Sequence, residues 1–154
     1  MTLPSRVRPV RILCAEDDAD DRAQIGDALR ATGAPMELRF VKDGEELLDA
    51  LRARGGPESP APMPRPDIIF LDLWMPRKDG RQALREIKAD PSLRQIPVIV
   101  LTTSKAEEDV FRSYDLGAAS FLRKSATFDS LAHVMKAVGD YWFQVVDLPN
   151  AKRG

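Results

Sequence analysis

Short apolar runs alternate along this chain with segments whose apolar residues recur every three or four positions. "VRILCA" (10–15) reads as a strand, and the stretch from about Asp20 to Ala31 as a helix with Ile25 and Leu29 spaced i,i+4, closed near Gly33. "MELRFV" (36–41) alternates apolar and polar residues, which predicts a less buried strand. Asp43 and Glu46 have the spacing of a capping box, and Leu47, Leu48 and Leu51 give the helix they open its apolar side. A Pro-rich loop at 54–66 precedes a third strand, "DIIFLD" (67–72). A helix from Asp79 to about Ala89 follows, carrying Leu84 and Ile87 and stopped by "DPS". "PVIVLT" (97–102) and "ASFLRK" (119–124) read as fourth and fifth strands. Between them Ser104 and Glu107 open a helix with Val110, Phe111 and Tyr114. From Thr127 a long helix carries Phe128, Leu131, Met135, Val138, Trp142 and Val145.

Strands alternating with helices predict an α/β fold with a mostly parallel sheet. Runs such as "VIVL" suit a sheet covered on both faces. Ligands of such sheets bind beyond the carboxyl ends of the strands, near the point where strand order reverses.

Composition narrows the chemistry. With 154 residues, the chain has the length of one domain. Its 23 Lys and Arg against 24 Asp and Glu leave a net charge of -1, which gives no bulk argument for a nucleic-acid or membrane surface. The single cysteine, Cys14, excludes an internal disulfide, and the single histidine, His133, argues against a His-cluster metal site. The N-terminus lacks the apolar core of a signal peptide, and no apolar run reaches the ~20 residues of a membrane span. The expectation is a soluble cytoplasmic protein.

The residues that end the apolar runs carry the functional signal. The first run leads into Glu16 and Asp17, the third ends on Asp72, the fourth on Thr102 and the fifth on Lys124. In a parallel sheet these share one edge. Taken singly, each has an ordinary explanation. Acidic residues after strands cap helices, as Asp18, Asp20 and Asp21 are placed to do, and a lone lysine is usually solvated. Together they make the set that phosphoryl capture needs. Three carboxylates suit a hard divalent cation, with Mg²⁺ the usual case. A carboxylate beside a cation can attack phosphorus to form an acyl phosphate. A lysine and a hydroxyl can then take the remaining phosphoryl oxygens.

The motifs "ILCAEDD", "LDLWMPRKDG", "VIVLTTS" and "SFLRK" resemble, in order and spacing, the receiver domain of two-component response regulators over about residues 10–140. The resemblance implies a doubly wound five-stranded parallel sheet of order 2-1-3-4-5 with helices on both faces, the receiver (flavodoxin-like) fold. It implies Asp72 as phosphoacceptor, Asp17 as direct Mg²⁺ ligand, Glu16 acting through water and the backbone carbonyl of Trp74 completing the protein ligands. Thr102 and Lys124 resemble the switch hydroxyl and the phosphate-binding lysine. Phe121 stands where the family has the aromatic that swings inward. Asp79 and Gly80 match the turn opening the following helix, and Gly80 fits a close turn. Two features depart from the pattern. Ser125 replaces the proline usual after the lysine, and a cis peptide costs ~2.5–4 kcal/mol without proline, so the aim of Lys124 turns on that bond. Bulky Trp74 beside the nucleophile is expected to shield an acyl phosphate from water.

The expected organisation is a tail at 1–8, a receiver domain at 9–140 and an extension at 141–154. That extension carries Tyr141, Trp142, Phe143, Val145, Val146 and Leu148 on both faces of the last helix, more than one face can bury, and reads as a homodimer arm. Residues enough for a DNA-binding output do not follow the receiver, so signalling through protein contacts, or as a phosphate relay or sink, is expected. A "W-x-x-V-V-x-L-P" ending and "LTTSKAEEDV" further resemble single-domain receivers paired with phytochrome-type histidine kinases. Two other readings stay open. One is a scaffold that does not take phosphate. The other is an aspartyl-nucleophile phosphatase, a class that usually has a second carboxylate where Trp74 stands.

Overall fold

The computed structural model describes residues 9–31, 33, 35–52, 65–73, 79–102, 106, 108, 117–118 and 120–123. In chain order these form β1 (Val10–Ala15), α1 (Ala19–Arg30), β2 (Met36–Val41), α2 (Gly44–Arg52), β3 (Ile68–Asp72), α3 (Gly80–Ala89), β4 (Val98–Thr102) and β5 (Ser120–Arg123). Trp74, Lys124, Ser125, His133 and the arm residues Tyr141, Trp142, Phe143, Val145, Val146 and Leu148 lie outside the described residues. So do the side chains of Thr102 and Phe121, the Pro-rich loop between 53 and 64, and the long helix expected from Thr127.

The strands pair in parallel in the order β2-β1-β3-β4-β5. The pleat sorts their residues between two cores. Leu13, Ala15, Ile69, Leu71, Val98 and Val100 pack with Leu47 and Leu48 of α2 and with Leu84 and Ile87 of α3. Their sequence neighbours Ile12, Cys14, Ile68, Phe70, Ile99 and Leu101 pack on the opposite face with Ile25 and Leu29 of α1. Both faces are buried, which explains the unbroken apolar runs at 12–15 in β1, 68–71 in β3 and 98–101 in β4. The edge strand β2 is only partly buried, which explains its alternation.

The helices sit on these faces because of handedness. From β1 the chain moves outward to β2, then crosses back over β1 to reach β3. Right-handed crossovers in opposite directions put α1 on one face and α2 and α3 on the other. The direction reverses between β1 and β3, so a crevice opens beyond their carboxyl ends.

Local chemistry sets the helix ends. The Asp18 carboxylate accepts the Asp21 N–H at 2.9 Å and caps α1, with Asp20 and Asp21 in its first turn. Gly33, at φ +77, takes the turn after that helix. The expected Asp43 cap forms at α2. The Asp43 carboxylate accepts the Glu46 N–H at 2.8 Å, while Glu46 Oε1 accepts the N–H of Lys42, one residue ahead of the cap. Arg52 of α2 lies 3.6 Å from Glu86 of α3 and 3.7 Å from Asp90 at that helix's C-terminal cap, joining the two helices.

Candidate metal and phosphoryl site

The crevice at β1 and β3 is filled with carboxylates because both strands run out there in step. Ala15 pairs with Leu71, so one residue further on Glu16 stands abreast of Asp72. Both continue the even-numbered face of their strands, after Ile12 and Cys14 in one and Ile68 and Phe70 in the other. Asp17 follows at the start of the turn. One carboxylate oxygen from each of Glu16, Asp17 and Asp72 fits within a span of 4.8 Å. Glu16 is fully buried, Asp72 is 3% exposed and Asp17 faces solvent. Both Glu16 carboxylate oxygens are shielded from water.

Three like charges so close are costly. Two unit charges about 5 Å apart repel by roughly 3 kcal/mol at an effective dielectric near 20. The donor set is all oxygen, without imidazole or thiolate, and a hard divalent cation fits it on charge and ligand type. Asp17 provides the solvent-facing side through which such an ion can enter.

Three residues support this geometry. Gly80 begins α3 under the end of β3, and its N–H donates to the Leu73 carbonyl at 3.0 Å. A Cβ at that position would lie 2.5 Å from the Asp72 carbonyl oxygen and 2.7 Å from Leu73 Cα. The glycine is needed here for close approach of two backbones, with no positive φ involved. Asp79 caps the same helix, its carboxylate accepting the Gln82 N–H at 3.0 Å. Arg22, in the first turns of α1, reaches back so that Nη1 donates to the Glu16 carbonyl at 2.9 Å. Sequence reading identified Gly80 and missed Arg22, because a contact from a helix side chain to a backbone carbonyl six residues earlier leaves no periodicity. A cation placed one turn after an acidic strand end was the available signal.

Of the other expected site residues, the backbone locates two. Thr102 closes β4 one residue beyond Leu101, the partner of Asp72, and Phe121 pairs in β5 with Val100. Lys124 follows Arg123, which pairs with Thr102.

Known proteins are similar to this chain over most of its length. A family profile for the response regulator receiver domain matches residues 12–136. "Response regulator Rcp1" of Synechocystis sp. is 38% identical over 143 residues, 93% of this chain and 95% of that protein. Among solved structures, the phosphorylated cyanobacterial phytochrome response regulator RcpA is 40% identical with a TM-score of 0.73, covering 92% of this chain and 99% of that one. The Mn²⁺-bound form of Rcp1 is 38% identical with a TM-score of 0.71 over the same shares. No helix among the described residues is long and apolar enough to cross a membrane.

Proposed function

We propose that this chain, which belongs to the response regulator receiver family, accepts a phosphoryl group on Asp72 from a sensor histidine kinase. The observation that carries this reading is the meeting of Glu16, Asp17 and Asp72 at the β1/β3 switch point. An Asp72 oxygen attacks the phosphorus, the bond from phosphorus to the donor's imidazole nitrogen breaks, and an acyl phosphate forms on the aspartate. Asp17, Asp72 and the Trp74 carbonyl would hold Mg²⁺, with Glu16 acting through water. Bound there, the ion neutralises charge on the phosphoryl oxygens. Gly80 keeps the end of β3 seated against α3, which orients the Asp72 carboxylate for attack.

Thr102 and Lys124 are assigned to the remaining phosphoryl oxygens, with Phe121 responding to Thr102. The added charge drives the response, since new negative charge must be met locally by cation and donor. The chain's own chemistry then consists of gaining and losing phosphate, and its output is a protein contact. Similarity to the cyanobacterial phytochrome response regulator RcpA supports a phytochrome-type kinase as the donor. The apolar extension at 141–154 supports a homodimer, and sedimentation with and without that segment tests it. Phosphotransfer from a phytochrome-type kinase to the wild-type chain, lost in Asp72→Asn, tests the assignment of donor and acceptor together.

A further inference from the structure

The peptide leaving β1 is tied from two sides. The Glu16 N–H donates to the Val41 carbonyl of β2 at 2.9 Å, and the Glu16 carbonyl accepts Arg22 Nη1 at 2.9 Å. The paired register with β3 has already ended at Ala15 and Leu71, so the guanidinium takes hold where the ladder stops. Two residues later the chain is anchored again, with the Asp18 carboxylate accepting the Asp21 N–H and the Asp18 carbonyl accepting the Arg22 N–H at 2.9 Å. Arg22 therefore closes the turn through both its backbone and its side chain. Asp17 is the residue between those anchors.

We propose that Arg22 is a positioning residue for the divalent cation, holding the Glu16–Asp17 peptide so that both carboxylates face Asp72 before the ion arrives. This rests on the reading that these three carboxylates bind the cation. A guanidinium near an acidic cluster has a second effect of opposite sign, because its charge competes with an incoming dication. Anchorage on a carbonyl favours the first effect. Partners that orient metal ligands typically change metal affinity ~10-fold or more when removed. Simple charge competition predicts tighter binding on removal.

The full chain, titrated with Mg²⁺ by calorimetry, separates these. Arg22→Ala is expected to bind Mg²⁺ about tenfold more weakly, and Arg22→Lys, which keeps the charge and a donor, to fall between it and the wild type. In the metal-free protein, hydrogen exchange at the Glu16 and Asp21 amides, bonded to the Val41 carbonyl and the Asp18 carboxylate, is expected to quicken in the alanine variant while the amides of β3 keep their protection. Equal or tighter Mg²⁺ binding by the alanine variant overturns the proposal, and so does unchanged exchange at Glu16 and Asp21. If the wild type itself takes no Mg²⁺, the cation site is refuted, and the exchange comparison still decides whether Arg22 holds the turn. Should the alanine variant fail to fold, the lysine variant is read in the same terms, with weaker binding in support and unchanged binding against.

Discussion

Glu16 and Asp72 leave the sheet side by side, one step beyond the Ala15 and Leu71 pair, on the same face of neighbouring parallel strands. That relationship makes the site. Register sets the two carboxylates abreast, the pleat turns them the same way, and the crossover order leaves the space beyond them open.

The ion should stabilise the fold. A ligand that binds only the native state adds ~2.7 kcal/mol at a concentration 100 times its Kd. Thermal melting in saturating Mg²⁺ is therefore expected to rise by several degrees over melting in EDTA. Asp17→Asn removes the exposed carboxylate of the cluster, and its melting temperature is expected to be insensitive to Mg²⁺. Equal responses in the two proteins would place the ion elsewhere.

Two glycine substitutions should have opposite signs. Gly80→Ala drives a methyl into the Asp72 carbonyl and Leu73 Cα, both backbone, and is expected to cost ~1–3 kcal/mol in denaturant unfolding. It should also lower the yield of phosphorylated protein, since Asp72 must shift. At Gly26, inside α1, the nearest obstacle is the mobile end of Arg30 at 2.8 Å. Gly26→Ala is expected to stabilise the protein by ~0.5–1 kcal/mol through helix propensity.

Asp90 gives a pH signature far from the site. The Ser92 hydroxyl and backbone N–H, followed by the charge of Arg52, hold its carboxyl below the ordinary aspartate value. The folded protein thus binds this proton less readily than the unfolded chain. The stabilisation is full above the ordinary aspartate pKa and is lost as pH falls through the lower folded value. The gap in melting temperature between wild type and Asp90→Ala is expected to be constant near neutrality and to narrow below about pH 4. A gap that persists unchanged to strong acid would contradict the carboxylate's role.

Much of this was legible in the sequence because parallel strands buried on both faces stop being apolar where they reach the edge. "IIFLD" and "ILCAED" mark their own ends, so Asp72, Glu16 and Asp17 could be picked out without coordinates. The apolar residues could not supply strand order. A run such as "VIVL" fits any central position, and the order 2-1-3-4-5 came from resemblance to a family before the sheet displayed it. Gly80 was legible as a residue type suited to a close turn, but the backbone it must avoid, that of Asp72, depends on tertiary packing. Arg22 was not legible, and neither was the bond between Glu46 and the Lys42 N–H, since both depend on where a long side chain lands.

Phosphoryl capture by Asp72 with the help of a divalent cation can be read directly. The direct measurement is intact mass after incubation with acetyl phosphate, with Mg²⁺ and with EDTA, on the wild type and Asp72→Asn. A gain of one phosphoryl group is expected in the wild type with Mg²⁺, and none in EDTA or in the mutant. A wild type that stays unmodified with Mg²⁺ present, or a mutant that gains the same mass, would contradict it.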